Sequence, residues 1–185
     1  MYLERSNFFA RNLLRSASML KISPSQSGSN LFLGLSRDLN SPLYLFLKET
    51  EFSPRVSIRT RLLYNMIGDR LIFLAHDVDC NPKNTFVSAV NIYYFNDFDA
   101  THGLNTVHEA FIGVHRLKRG KGLATDIRET AYMHFKLSSL DGITTRIKKD
   151  NLASISSARK LGFSIPDQFK KYQFVDDELY MFRPL

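Results

Sequence analysis

The segment that most constrains the fold joins an apolar run to an amphipathic run through a short glycine-rich stretch. Residues 106–114, TVHEAFIGV, predict a strand, and residues 119–124, RGKGLA, follow it closely. Residues 121–137 then repeat apolar side chains at the spacing of one helix face: Leu123, Ile127, Ala131 and Phe135. This order predicts a strand that ends in a glycine loop and leads into the N-terminus of a helix.

The glycine loop has the properties of an anion-binding site. Glycine allows close approach of the backbone to a ligand, and the first N–H groups of a helix have no partner within it. The helix dipole adds partial positive charge there. Four cations lie along this stretch: Arg116, Lys118, Arg119 and Lys121. The spacing matches neither a dinucleotide fingerprint nor a phosphate loop that ends in Lys-Ser/Thr. We therefore expect the loop to bind a pyrophosphate through a motif that is neither of these two. The alternative is a tight strand-to-helix turn with solvated cations.

The remaining pattern predicts an α/β fold. From residue 31 the order of elements is β, α, α, β, β, β, α, β, α, β, β, which fits a mixed central sheet with helices on both faces. We expect residues 1–30 to form an N-terminal helix and a Ser/Gly-rich loop, and residues 31–185 to form a single domain. The predicted strands are 31–35, 70–75, 85–95, 106–114, 143–147, 172–175 and 178–182.

Two helix starts are predicted at Ser-Pro pairs. Serine caps free N–H groups and proline fits the first helical position, so Ser41-Pro42 and Ser53-Pro54 each indicate a start. The two helices would cover about 42–50 and 54–67. Gly68 would then be the left-handed residue that ends the second helix.

The first 20 residues allow two interpretations. They are rich in Arg and Ser with a single acid, which is weakly typical of an organelle transit peptide. We favour an amphipathic helix packed on the domain. Its partly buried side chains would be Leu3, Phe8, Leu13 and Leu14.

Composition bounds the class of protein. The chain has 185 residues, a net charge of +7 and one cysteine, Cys80, so an internal disulfide is excluded. No apolar run has the length of a membrane span, so we expect a soluble protein, and the single cysteine fits a reducing, cytoplasmic compartment. The positive charge also leaves open a nucleic-acid-binding module, for which the segment 169–174 is the candidate.

A second segment, residues 151–163, has the pattern of a capped helix that ends in Gly-Phe. With the glycine loop it resembles the GNAT superfamily of acyl-CoA N-acyltransferases, and most of all the ribosomal-protein N-terminal acetyltransferase branch. The motif Q/R-x-x-G-x-G/A is matched by Arg119, Gly122 and Ala124. The motif N-x-x-(A/S)-I…K-L-G-F is matched by Asn151, Ser154, Ile155, Lys160, Leu161, Gly162 and Phe163.

The resemblance implies transfer of acetyl from acetyl-CoA to a primary amine by direct attack, without a metal. The acceptor could be a protein N-terminus, a lysine or a small amine. A homodimer is also possible. Backbone groups near Ile112 and Val114 would pair with pantetheine, and Asn151 would bond it near the thioester. The pyrophosphate would lie on the N–H groups of Arg119, Gly120, Lys121, Gly122, Leu123 and Ala124.

The amine must lose a proton, and the candidate bases lie on the strand 106–114. In a regular strand, His108 shares one face with Ala110, Ile112 and Val114, and Glu109 points to the other. A bulge would exchange His108 and Glu109. A histidine near its reference pKa of about 6.5 would make the rate rise between about pH 6 and 7.5. The alternative is a half-exposed His108 with no catalytic part.

The acid that protonates the leaving thiolate is not fixed by the sequence. Many GNAT proteins have a tyrosine seven residues after the motif asparagine, and here that residue is Ala158. Ser154, Ser157 or a water would take this part. Ala158 also leaves open a non-catalytic CoA-binding regulator.

Overall fold

A computed structural model describes residues 2–50, 57–77, 86–167, 170 and 177–185, with side chains from Asn7 onward. The helices of this part of the chain are α1 (Tyr2–Ala17), α2 (Asn40–Glu49), α3 (Ile58–Leu71), α4 (Asp97–Thr101), α5 (Leu123–Phe135) and α6 (Leu152–Lys160). Its strands are β1 (Ser25–Ser27), β2 (Asn30–Gly34), β3 (Ile72–Asp77), β4 (Val87–Tyr94), β5 (Thr106–Val114), β6 (Gly142–Lys148) and β7 (Glu178–Pro184).

The described strands form one mixed sheet in the order β1 to β7. Only β5 and β6 pair in parallel among them, and the other neighbours are antiparallel. The mixed sheet and the meander of β3, β4 and β5 confirm the prediction. Cys80, the Asn81-Pro82 turn and the predicted strand 172–175 lie outside the described residues. Within the described residues, no helix combines the length and apolar character that a membrane crossing requires.

Helices cover both faces of the sheet. On one face α5 buries the predicted apolar stripe, and Phe135 meets Phe73 and Tyr93 edge-on at ring distances of 5.6 and 4.9 Å. On the other face α2 packs on strand residues that include Leu74 and Val90. The buried residues of α2 are Leu43, Phe46 and Leu47. Alternation along the strands therefore supplies two apolar faces, as a sheet covered on both sides requires.

Two predicted helix boundaries are wrong. Gly68 lies inside α3 with a buried side against Leu35, where an added Cβ would meet Leu35 atoms at 2.8 Å. The glycine serves close packing, because α3 continues to Leu71 and passes directly into β3. Helix α2 begins at Asn40 after a short 3-10 turn, so Ser41 is not its cap.

The start of α3 differs from the predicted pair as well. Ser53 and Pro54 lie outside the described residues. The described N-cap is Ser57, whose hydroxyl accepts a hydrogen bond from the Thr60 N–H at 3.1 Å. A serine side chain caps α3, as predicted for this helix, but the serine is Ser57 and not Ser53.

The segment 21–30 is not entirely a loop. Ser25–Ser27 pairs with Asn30–Phe32 as a short antiparallel strand at the edge of the sheet. This hairpin spans the predicted boundary between the N-terminal region, residues 1–30, and the domain, residues 31–185. That division into two regions stays a prediction.

The N-terminal helix α1 is docked through Asn12. The Asn12 amide accepts from the Phe95 N–H at 2.8 Å and donates to the Phe95 carbonyl at 3.1 Å. Phe8 packs edge-on against Tyr94 at 5.1 Å. Leu13 is half-buried, but Leu14 is 74% exposed, so its predicted burial is wrong. A buried amide, rather than a row of leucines, therefore fixes α1 on the domain.

Replacing Asn12 with Ala tests this docking. The variant leaves the N–H and carbonyl of Phe95 without their partner, and each unpaired buried group costs about 1–3 kcal/mol. We expect the free energy of unfolding, measured in urea, to fall by that order. Ser18→Ala is the matched control on the same segment, because the Ser18 hydroxyl bond to Arg15 is exposed. Equal stability of both variants would contradict the docking role of Asn12.

Candidate active site

The candidate site lies where β5 and β6 separate. The two parallel strands stay in register from Thr106 to Glu109 on β5, and the last pair joins Glu109 to Thr145. Beyond it β5 continues to Val114 and β6 to Lys148 without pairing to each other. The edge of β5 that faces this gap keeps backbone groups with no strand partner, and such an edge is able to bind an extended ligand.

A β-bulge at Ala110 changes the register of β5. Tyr93 pairs with Glu109 and Ile92 pairs with Phe111, so Ala110 has no partner on β4. The prediction that His108 shares a face with Ile112 and Val114 in a regular strand is therefore wrong, and the bulged alternative, which exchanges His108 and Glu109, is confirmed. The extra residue reverses the alternation, and it places Glu109 on the α5 face while His108 takes the opposite face.

Glu109 is buried in an ion pair with Arg128 of α5. The Arg128 Nε and Nη2 atoms donate to both carboxylate oxygens at 2.6 to 3.2 Å. The same carboxylate accepts from the side chains of Asn91, Tyr93 and Thr145. The guanidinium and three neutral donors in a dry site leave Glu109 little capacity to accept a further proton.

The pKa of Glu109 reflects this surrounding. Burial would raise the pKa, but the Arg128 guanidinium and the hydrogen bonds from Arg128, Asn91 and Thr145 hold it below its usual value. The arrangement is that of a structural carboxylate. As a catalytic base Glu109 stays a prediction that this geometry disfavours.

Arg128 also connects the ion pair to α6. Its Nη1 atom donates to the Ser154 carbonyl at 3.2 Å and its Nη2 atom donates to the Ser154 hydroxyl at 3.1 Å. Through these bonds one guanidinium joins β5, α5 and the first turn of α6. The position of α6 beside the gap therefore depends on the ion pair beneath it.

His108 belongs to a second buried network. Its Nδ1 atom lies 2.8 Å from the Thr144 hydroxyl, and Thr144 donates to Asp99 at 2.6 Å. Asp99 also accepts from Thr106 at 2.7 Å and from the Tyr180 hydroxyl. Because the Thr144 proton goes to Asp99, the Thr144 oxygen accepts from His108. The proton of neutral His108 is therefore on Nδ1, and Nε2 carries the lone pair.

Burial sets the protonation of His108. It lowers the pKa to about 4, and the nearby Asp99 carboxylate opposes this only in part. A base with this pKa is already neutral at pH 6, so it would not produce the predicted rise in rate between about pH 6 and 7.5. His108 is buried between the rings of Tyr94 and Tyr180, so the half-exposed position in the alternative is wrong, whereas the non-catalytic role in it stays a prediction.

The glycine loop has the predicted geometry. Gly120 and Gly122 have positive φ angles of 76° and 81°, and Gly122 is the residue before the first turn of α5. Among the described residues, the N–H groups from Gly120 to Ala124 have no hydrogen-bond partner. The exposed side chains of Arg119 and Lys121 lie beside them. Free N–H groups, a helix N-terminus and two cations make this loop fit a pyrophosphate.

Asn151 caps α6, as the sequence predicts. Its Oδ1 atom accepts from the Ser154 N–H at 3.1 Å, which leaves the exposed amide nitrogen for a ligand. Ser157 lies 3.2 Å from the Thr125 hydroxyl, across from α5. Ala158 is fully buried in the core, so it contributes no group to the gap.

Sequence reasoning missed the partners of His108 and Glu109 in these networks. Among them are Asp99, Arg128, Thr144 and Tyr180. Arg128 follows the apolar Ile127 directly on the inner side of α5, and a cation there, after a strand that carries a glutamate, is a signal for a buried pair. Asp99 lies in the short helix α4, which carries no such signal. Within the described residues, no cluster of His, Cys, Asp and Glu is suited to a metal ion.

Comparisons with known proteins identify the fold. No protein-family model and no curated protein matches the chain. Arabidopsis thaliana NAA60 in complex with acetyl-CoA aligns with a TM-score of 0.68 and 12% identity over 84% of this chain and 99% of that chain. The ribosomal-protein-S18-alanine N-acetyltransferase of Escherichia coli aligns with a TM-score of 0.60 and 16% identity over 84% and 93%.

A third structure has a peptide-like ligand. Arabidopsis thaliana Naa50 in complex with the bisubstrate analogue CoA-Ac-MVNAL aligns with a TM-score of 0.61 and 16% identity over 84% of this chain and 97% of that chain. At these identities the likeness shows the fold. The chain has the fold of the GNAT acetyltransferases, and the predicted fold class is confirmed.

Replacing Arg128 with Met tests the buried ion pair. The variant leaves the Glu109 carboxylate without its charge partner, and breaking a buried pair in this way costs about 3–5 kcal/mol. We expect this loss in the free energy of unfolding in urea at pH 7. The double variant Arg128→Met with Glu109→Gln has no uncompensated charge and should be closer to wild type. A double variant less stable than the single one would contradict this account.

Proposed function

We propose that this chain is an N-acetyltransferase that moves an acetyl group from acetyl-CoA to a primary amine. The amine attacks the thioester carbonyl directly, and CoA leaves as its thiolate. No acyl-enzyme is formed, so the chain has to bind both substrates at once and move one proton away from the nitrogen.

The observation that carries this proposal is the coincidence of a gap and an anion site on a GNAT fold. The gap between β5 and β6 is open beyond Glu109, and the free N–H groups of residues 120–124 lie at the end of β5. A cofactor with an extended polar arm and a pyrophosphate fits both features together. CoA has this shape, and several of the aligned structures are named as complexes with CoA or acetyl-CoA.

In this proposal the pantetheine arm lies along β5. Backbone groups near Ile112 and Val114 would pair with its amides, and residues 119–124 would hold the pyrophosphate. The Asn151 amide nitrogen would donate to the arm near the thioester while the Asn151 oxygen caps α6. These assignments stay predictions.

His108 is the base we favour over Glu109. It is neutral at physiological pH, and its Nδ1–H donates to the Thr144 hydroxyl oxygen, which leaves the Nε2 lone pair to accept a proton. Its low pKa makes it a weak base. Above about pH 5 nearly all molecules carry a neutral His108 imidazole, so protonation does not remove the base at physiological pH.

Ser154 is the acid we favour for the thiolate. Its hydroxyl accepts a bond from Arg128, so its own proton is free to point into the gap. The guanidinium bond also stabilises the alkoxide that remains after proton donation, and a water in the gap returns a proton to it. A water would serve the same purpose, because thiolate is a tolerable leaving group.

A polypeptide N-terminus is the acceptor we favour. The aligned proteins include an enzyme named for a ribosomal-protein alanine and complexes named with a peptide or a bisubstrate analogue. A cytoplasmic location and a homodimer stay predictions. So does the nucleic-acid-binding alternative, because only Lys170 of the segment 169–174 is described.

A CoA-binding regulator is the second candidate. The observation that favours it is Ala158, which is buried in the place of a tyrosine acid. Release of thiol from acetyl-CoA in the presence of a panel of amines and peptides separates the two. Amine-dependent release supports the enzyme, and tight CoA binding without release supports the regulator.

Replacing Gly122 with Val tests the pyrophosphate loop. A β-branched side chain strains the positive φ of this residue and blocks approach of phosphate to the N–H groups. We expect CoA affinity, measured by calorimetry, to fall on the order of tenfold or more. Gly103→Val is the matched control, because Gly103 also has a positive φ of 72° and open space around it. An equal loss in both variants would remove the loop from the site.

Replacing His108 with Ala tests the base. Turnover should fall by about 10²–10⁴ while CoA affinity stays unchanged. Protonation removes the base only as the pH falls through about 4. The wild-type rate per free amine should therefore be flat between about pH 6 and 7.5. Glu109→Gln is the companion variant. If it alone lowers turnover at equal melting temperature, Glu109 is the base.

A further inference from the structure

A cavity of about 740 Å³ lies between α1, α3 and the bulged part of the sheet. This volume is within the range of about 300–1,000 Å³ that binds small molecules or side chains. Most of its wall is aromatic or aliphatic. The lining residues named from the two helices are Phe8, Phe9, Leu63, Tyr64 and Ile67.

The cavity adjoins the gap at the bulge. Ala110 forms part of its wall, and it is the first residue of β5 beyond the last pair with β6. Tyr94 forms another part, and its ring lies 5.4 Å from the ring of His108. A molecule in this cavity would thus have one end beside Ala110, where the gap begins, and beside the Tyr94 ring that packs against His108.

Helix α1 supplies a wall of this cavity. Phe8 packs edge-on against Tyr94, and Phe9 lies 5.6 Å from the guanidinium of Arg59. The Asn12 bonds to Phe95 hold the helix in this position. The N-terminal segment is therefore part of the candidate site rather than an appendage to it.

The chemistry of the wall selects one class of acceptor. Among the described lining residues the charged side chain is Arg59, and the Ser57 and Thr60 hydroxyls bond each other at 2.9 Å. An apolar group gains by burial against the aromatic rings. A second ammonium group, as in a polyamine or a lysine side chain, would lose its hydration against this largely apolar wall.

We propose that this cavity binds a bulky apolar group, aromatic or branched, carried next to the amine that is acetylated, and that Phe8 and Phe9 determine this specificity. The inference rests on the proposed acetyl transfer. The group could belong to the first residue of a peptide or to a small arylalkylamine, and the shared chemistry is an amine beside an apolar body.

The test compares acceptors and variants in one assay. The acceptors are short peptides with Phe, Ala or Lys as first residue, and 2-phenylethylamine. We expect kcat/KM for the Phe peptide to exceed that for the other peptides by about 10- to 200-fold. The small amine reports whether the apolar group alone is sufficient or whether a peptide backbone is needed.

The variants are Phe8→Ala and Phe9→Ala, with Phe8→Leu as the conservative change. Leu14→Ala is the matched control, because Leu14 lies on the same helix and is 74% exposed. The Ala variants should reduce the preference for Phe over Ala to less than about a third of the wild-type ratio, with an unchanged KM for acetyl-CoA. Phe8→Leu should keep most of it. A ratio that all variants share with wild type overturns the proposal.

Failure of acetyl transfer would be a separate result. If acetyl-CoA binds but no acceptor is acetylated, the proposed function is wrong, and binding of 2-phenylethylamine to the CoA complex decides the cavity. Saturable binding that Phe8→Ala weakens and Leu14→Ala leaves unchanged supports the apolar site. No binding, or binding equal in both variants, overturns it.

Discussion

The ion pair between Glu109 and Arg128 is the interaction on which the rest of the candidate site depends. It lies under the last pair of β5 with β6, so it marks the point where the two strands separate. Its guanidinium also bonds Ser154, and so it fixes the first turn of α6 beside the gap. Two buried charges require each other, because either one alone would be costly in a dry core. The ion pair is thus a fixed structural element at the point where the gap between β5 and β6 begins.

The fold could be predicted from the sequence because its elements follow local rules. The apolar stripe of α5 and the limits of β5 are visible in the residue pattern. Gly68 was misassigned because a glycine that ends a helix and a glycine that packs against Leu35 look the same in sequence. The docking of α1 through Asn12 was missed since a buried polar residue on a helix has no periodic signal. These are tertiary contacts, and a local pattern does not contain them.

The anion loop and the α6 cap were predicted better than the catalytic residues. Glycine positions and a helix start are local features, so Gly122 and Asn151 have the expected conformations. The faces of His108 and Glu109 depend on one extra residue, Ala110, which reverses the alternation of a strand. A one-residue bulge is decided by how β5 pairs with β4, and the sequence of β5 alone does not show it.

The two buried carboxylates, Glu109 and Asp99, differ in their structural roles, and the difference follows from their hydrogen-bond partners. Glu109 faces the Arg128 guanidinium and three neutral donors, and its pKa is held low, so it stabilises the framework. Asp99 faces hydroxyl groups, and through Thr144 it fixes the proton of His108 on Nδ1. Glu109 is neutralised by Arg128 and holds the framework together. Asp99 acts through the Thr144 hydroxyl, and the lone pair of the His108 imidazole therefore stays on Nε2. The bulge that places Glu109 against Arg128 therefore also places His108 on the opposite face of the sheet, against the rings of Tyr94 and Tyr180.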